Sequence, residues 1–263
     1  GAGIQADLKT FVANGVYGMT VITSLTAQNP QKVKMLEDVS IEMLKHQIEA
    51  IFDVIEVSAV KIGMLNSKEN GEVIYEKLLK YKVKNIVLDP VMIATSGNSL
   101  IKDETKNFLV NKLFKIVDII TPNLDETKEI VKIILNKENI EDIDSIEKMK
   151  IYGKIIADFT KRWVLIKGGH LSNSAVDILM NKDGIYILEG EKISSNNTHG
   201  TGCSLSSAIA SNLAKGYSML EAVKKAKNFV LYSIKNSIDF GEISGTVNQM
   251  GEIYKNIDIE KLY

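Results

Sequence analysis

The chain reads as an α/β protein, one large domain over residues 1–263 with a mostly parallel central sheet covered by helices on both faces. Three observations predict this. Short runs rich in β-branched residues alternate along the chain with longer segments of helical periodicity. Distinctive polar residues recur where those runs stop, as expected at the carboxyl ends of strands in an open parallel sheet. Two late apolar runs flank Asn181-Lys182-Asp183-Gly184, a hairpin signal that adds a small antiparallel piece.

In chain order, Ile4, Leu8, Phe11 and Val12 mark one face of a first helix, closed by Gly15 as C′ residue. Residues 16–25, with Tyr17, Thr20, Val21, Ile22 and Thr23, predict a strand ending at Thr26-Ala27-Gln28-Asn29-Pro30. Ser40 caps a helix carrying Ile41, Leu44, Ile48 and Ile51. A short strand at 59–62 stops at Gly63, and residues 67–81 are helical. A buried strand at 85–88 ends at Asp89-Pro90-Val91-Met92. A helix starts at Asp103, a strand covers 117–121, and Pro122-Asn123-Leu124-Asp125-Glu126 opens another helix. The polar stretch 136–150 is a loop entering a helix that ends near Thr160. A strand at 163–167 runs into Gly168-Gly169-His170. Residues 175–180 and 185–188 make the hairpin, where Asp-Gly accommodates positive φ. An amphipathic helix begins at or just after Gly202, with Leu205, Ala208, Ile209 and Leu213 at helical spacing, and a last long helix covers about 218–238. The chain opens on Gly1-Ala2-Gly3 and passes straight into helix. A glycine loop normally joins two elements, so the expectation is that an upstream strand is missing from the sequence as given.

Composition excludes several function classes. Hydrophobic residues make up 45%, charged residues 25%, and the net charge is −1, which gives no reason to expect nucleic acid or an acidic membrane as partner. Arg162 is the only arginine, so any phosphate must be met by lysines or backbone N–H groups. A single cysteine rules out an internal disulfide and a thiolate zinc site. No apolar run reaches membrane-spanning length and no signal peptide is visible, so the expected compartment is the cytoplasm. The GxxxxGK[ST] loop is absent, and no GxGxxG follows a strand.

The most informative stretch is Asn196-Asn197-Thr198-His199-Gly200-Thr201-Gly202-Cys203. A glycine turn feeding a helix N-terminus presents N–H groups and a favourable dipole to an anion. Cys203 falls in the first turn, where the same field favours thiolate; an inert buried cysteine is the alternative. Gln28, Asp89, Asn123, Glu126 and Lys167 stand at the predicted strand ends, and an anion hole, a lysine and carboxylates together describe phosphoryl transfer. His46 lies inside a helix, while His170 and His199 sit beside glycines, where phosphate contact and simple loop chemistry are both open.

Seven ordered blocks then carry a resemblance: 1–11 (GAGIQADLKTF), 21–29 (VITSLTAQN), 60–65 (VKIGML), 88–92 (LDPVM), 120–126 (ITPNLDE), 167–171 (KGGHL) and 197–203 (NTHGTGC). The chain resembles the hydroxymethylpyrimidine/phosphomethylpyrimidine kinases of thiamine biosynthesis, within the ribokinase-like superfamily, over nearly its whole length. The resemblance implies a ribokinase-like three-layer sandwich, ATP and Mg2+ as cofactors, and a homodimer. It implies phosphorylation of 4-amino-5-hydroxymethyl-2-methylpyrimidine and then of its monophosphate. Gln28 would read the pyrimidine's amino group and ring nitrogen, an amide offering both donor and acceptor. Ala2, Asp7, Met64 and Val91 would complete the substrate pocket. Asn123, Lys167, Thr198 and His199 would contact ATP, with Asp89 and Glu126 at the metal. Gly200, Thr201 and Gly202 would form the anion hole, Lys167 would neutralise transferring charge, and Cys203 would take the position of the catalytic base. Alternatives are a pyridoxal kinase and a silent pyrimidine-binding protein. The chain departs from the family pattern twice. By the resemblance a strand and a serine/glycine-rich turn would be expected before Gly1, where the sequence as given starts, and residues 241–249 follow the family's glycine-rich, histidine-bearing ending only loosely.

Overall fold

The structure, a computed structural model, describes residues 1–29, 32–92, 101–169, 175–193, 195–241 and 243–254. Of the residues singled out above, Pro30, His170, Leu171 and Glu242 lie outside these. In chain order the elements are α1 (Gly3–Ala13), β1 (Ser24–Gln28), β2 (Val33–Asp38), α2 (Ile41–Phe52), β3 (Val60–Ile62) and α3 (Lys68–Lys80). Then come β4 (Ile86–Leu88), α4 (Asp103–Asn111), a 3-10 turn (Leu113–Lys115), β5 (Ile119–Ile120), α5 (Leu124–Leu135) and α6 (Ile146–Thr160). The chain continues through β6 (Trp163–Ile166), β7 (Asp177–Met180), β8 (Ile185–Leu188), α7 (Thr201–Ala214), α8 (Met219–Lys235) and α9 (Gly251–Tyr254). They fall into two compact units, Asp38–Lys192 and Gly1–Glu37 with Ile193–Tyr263.

The unit Asp38–Lys192 holds a six-stranded sheet in the order β3-β4-β5-β6-β7-β8. The first four strands are parallel, and β6-β7-β8 are antiparallel, as the hairpin signal predicted. Val87, Leu88, Ile119, Ile120, Val164, Leu165 and Ile166 are buried, giving these strands the continuous apolar character of a sheet covered on both faces. Helix α6 rests closely on the sheet at Gly153, where a Cβ would stand 2.7 Å from Met180 Cε and 2.8 Å from Ile166 Cδ1. Serine caps start three of this unit's helices. Ser40, Ser67 and Ser145 accept from the backbone N–H groups of Met43, Asn70 and Lys148. The hairpin turn differs in mechanism from the expectation. Neither Asp183 nor Gly184 has positive φ; instead Asn181 Oδ1 accepts from the N–H groups of Asp183 and Gly184 at 2.9 and 3.0 Å.

In the other unit α7 packs on α8 and α1 on α7. Three expectations are corrected here. The predicted strand over 16–25 is irregular through residue 22, and strand begins only at Ser24, in a two-stranded sheet with β2. β-branched composition alone does not make a strand without a ladder to join. Helix α1 buries Ala6, Asp7 and Thr10, whereas Leu8 and Val12 are exposed, so its inward face is the small-residue one. Its end is as expected, with Gly15 at φ +69° and Val16 N–H bonding Phe11 O at 3.0 Å. Helix α7 is not amphipathic; residues 204–213 are all buried. Its small polar residues tolerate this because Ser206, Ser211 and Asn212 donate to carbonyls three or four residues earlier in the same helix.

Candidate active site

In the unit Asp38–Lys192 three parallel strands end side by side. Leu88 pairs with Ile120 and Ile120 with Val164, and the ladder extends to a bridge between Asn123 and Lys167. The residues just past those ends therefore converge. Lys167 Nζ lies 2.9 Å from Asp89 Oδ1 and 4.0 Å from Glu126 Oε2. Thr121 Oγ1 donates to Asp89 Oδ1 at 3.0 Å. Asn123 and Glu126 form a reciprocal capping box at the start of α5. Asn123 Oδ1 accepts from Glu126 N–H and Glu126 Oε2 from Asn123 N–H, each at 2.8 Å. The cap fixes Glu126 on the side of the helix that faces the lysine.

Both carboxylates are buried, at 2% exposure for Asp89 and 3% for Glu126, but their environments push them apart. Burial raises the Asp89 carboxyl, and Lys167, Lys61 and the bond from Thr121 overcome that and hold it below its ordinary value. Burial dominates at Glu126 and lifts it to about 7, Lys167 opposing and Asp89 adding to the rise. These two side chains are the oxygens a magnesium ion could use. Among the described residues no group of three or more His, Cys, Asp or Glu is arranged around a metal. Magnesium keeps several waters and is held by one or two carboxylates together with substrate phosphates, so this sparse donor set fits an ion carried in with a nucleotide.

In the other unit the glycine turn leads into α7. Gly200, at φ +90°, is its N-cap and supplies no side chain to the first-turn N–H groups. A Cβ there would stand 2.4 Å from Gly1 O, so both conformation and space require glycine. Thr201 closes the turn through its N–H and Oγ1, both bonded to Thr198 O at 3.1 and 2.6 Å. Cys203 is the third residue of the helix and is partly exposed. His199, half-buried and held below its ordinary pKa by burial, joins this turn to a cavity of about 320 Å³. Ala2, Gln28 and His199 line that cavity, together with Gln5, Thr26, Asn29, Phe240 and Thr246.

The predicted site residues thus sort into groups. Asp89, Asn123, Glu126 and Lys167 are brought together in one unit; Thr198, His199, Gly200, Thr201, Gly202 and Cys203 form the turn in the other, contiguous with Ala2 and Gln28. Asp7 does not line the cavity; it is buried against α7, where Ser207 Oγ donates to its Oδ1 at 2.7 Å. Met64 follows β3, and Val91 follows β4, where its N–H donates to Asp89 O at 2.8 Å. Sequence reading missed Thr121, whose hydroxyl faces a carboxylate across the strand ends. It also missed Phe240 and Thr246, which lie about forty residues beyond the turn with no local pattern to flag them.

A family model described as phosphomethylpyrimidine kinase matches residues 1–248. A hydroxymethylpyrimidine/phosphomethylpyrimidine kinase of Staphylococcus aureus (strain MRSA252) is 38% identical over 258 residues, covering 97% of this chain and 91% of that protein. The crystal structure of a phosphomethylpyrimidine kinase from Clostridium difficile 630 superposes with a TM-score of 0.77 at 45% identity, covering 89% of this chain and 94% of that one. An ADP complex of Bacillus subtilis pyridoxal kinase gives a TM-score of 0.86 at 32% identity, over 96% and 93% of the two chains.

Proposed function

The chain belongs to the phosphomethylpyrimidine kinase family, and on that premise we propose that it transfers the terminal phosphoryl group of ATP to the hydroxymethyl oxygen of 4-amino-5-hydroxymethyl-2-methylpyrimidine and then phosphorylates the monophosphate. It is a phosphotransferase of thiamine biosynthesis, and its kinase domain runs across residues 1–263. The observation that carries the substrate reading is the 320 Å³ cavity that places Gln28 and the start of the glycine turn on one wall system. The amide reads the amino and ring-nitrogen edge of the aminopyrimidine. Beside it, the N–H groups of Gly202 and Cys203 in the first turn after Gly200 receive phosphate oxygens, as a helix N-terminus does.

The chemistry asks for a proton acceptor and for charge neutralisation. Cys203, as thiolate in the first turn of α7, takes the proton of the substrate hydroxyl while that oxygen bonds phosphorus and the bond to ADP breaks. Lys167 meets negative charge on the transferring group. Thr198, His199 and Asn123 contact the nucleotide. Asp89 and Glu126 would hold a magnesium ion, which would supply electrostatic stabilisation of phosphate charge. The expected assembly is a homodimer in the cytoplasm.

The test is ADP release from ATP and magnesium with the pyrimidine alcohol, for the wild type, Cys203→Ser and Cys203→Ala. Turnover by the wild type, with both variants reduced roughly a hundredfold or more, is expected. If both variants keep wild-type turnover with intact binding, Cys203 is not the base. Tight pyrimidine binding without ADP release in the wild type would instead mark a silent binding protein.

A further inference from the structure

The segment after α8 folds back on the glycine turn and is bound to it residue by residue. Ser244 Oγ donates to Asn196 O at 2.5 Å, and Gly245 N–H to Asn197 Oδ1 at 2.8 Å. Thr246 Oγ1 and Val247 N–H both donate to His199 O, at 2.9 and 3.2 Å. Gly245 leaves no room for adjustment, since a Cβ would stand 2.1 Å from Ile238 O and 2.4 Å from Asn197 Oδ1.

The strap ends at Gln249, which is 4% exposed and donates through Nε2 to Ser204 Oγ at 2.9 Å. Ser204, fully buried, donates through its hydroxyl to Gly200 O at 2.8 Å, and the same oxygen accepts Ser204 N–H at 2.9 Å. A hydroxyl has one hydrogen. Because Ser204 gives it to Gly200 O, it can only accept from Gln249, so the amide must present its NH2 group. Gly200 O belongs to the peptide unit that carries the Thr201 N–H. With the Thr201 N–H of the same unit held by Thr198 O at 3.1 Å, the two bonds on Gly200 O fix the rotation of this peptide and with it the start of the helix that carries the Gly202 and Cys203 N–H groups.

We propose that Gln249 is a positioning residue of the anion-binding turn, acting through Ser204 on the Gly200 carbonyl to hold the first turn of α7 oriented toward phosphate. Its effect on turnover rests on the kinase reading; its effect on anion binding does not. An amide that only filled space would contribute to stability and leave anion affinity alone.

The experiment uses the full chain and two readouts. The first is protection of Cys203, the one cysteine, against iodoacetamide by inorganic phosphate; the second is kcat and KM with the pyrimidine alcohol. Gln249→Met, close in size without the donor, and Ser204→Ala are each expected to raise the protecting phosphate concentration about tenfold. They should lower kcat by a similar factor at unchanged pyrimidine KM, less than outright loss of an oxyanion donor would cost. The double variant should be no worse than Ser204→Ala, because the two groups act in series. Gln249→His, which restores a buried N–H donor, should recover most of both. Wild-type phosphate protection and kcat in Ser204→Ala or Gln249→Met, with only thermal stability reduced, would overturn the proposal. Should Gln249→Met not fold, Ser204→Ala and Gln249→His decide alone. If the wild type turns over no pyrimidine alcohol while protection still depends on Gln249, the kinase reading fails and the positioning role stands.

Discussion

At the scale of single residues, Lys167 holds Asp89 in its charged form. It lies 2.9 Å from Asp89, whose carboxyl it keeps ionised in a fully buried position. Lys167→Met should lower kcat by at least about a hundredfold and cost roughly 3 kcal/mol or more in urea melts, because a buried charge is stripped of its partner. Glu126 makes the opposite prediction. Its carboxyl titrates near 7 in the folded protein against 4.5 as its ordinary value, so between those values the native state holds a proton that the unfolded state has lost. Stability from this group is therefore full below pH 4.5 and declines as pH rises through 7. Glu126→Gln should flatten that decline, gaining relative to wild type as pH goes from about 5 to 8, while activity falls. Urea melts at both pH values check it; equal differences at the two would contradict the assignment. Asp89, with its value depressed, contributes stability that is lost only as pH falls below 3.8.

At the scale of elements, start signals were the most legible part of the sequence. Ser40, Ser67 and Ser218 each cap a helix close to the predicted position, because a side-chain oxygen and an N–H three residues on are a local matter. Asn123 does the same for α5 and orients Glu126 as well. Asn123→Ala should cost about 1 kcal/mol, while Asn123→Asp, which keeps the acceptor, should stay within about half of that. Denaturant midpoints distinguish them. Gly200→Ala is expected to cost more than the asparagine truncation, since φ is +90° and Gly1 O stands 2.4 Å from the new Cβ. What local reading missed was set by neighbours. The inward face of α1 follows small residues that fit against α7, not its larger apolar ones. The segment at 16–22 has strand composition without a strand, and the Asn181 amide, not a positive φ, turns the hairpin.

At the scale of the whole molecule, the alternation of strands and helices foretold the parallel character of β3 to β6 and the antiparallel end, because each buried strand declares itself in apolar composition, while the strand order came from the structure. The carboxylates and Lys167 were legible as residues standing at strand ends; the bonds among them, and the split between a low Asp89 and a high Glu126, needed the ladder register. The strap from Ser244 to Gln249 was not legible, since its partners lie more than forty positions away and no periodicity links them. Which ring alcohol is phosphorylated is settled by supplying ATP and magnesium with either the aminopyrimidine alcohol or pyridoxal. Initial rates and product masses are then compared. The aminopyrimidine is expected to be preferred in kcat/KM by at least about tenfold, to gain first one and then two phosphoryl groups, and to lose that preference in Gln28→Leu. Equal or better turnover of pyridoxal, with the aminopyrimidine left unphosphorylated, would contradict this expectation.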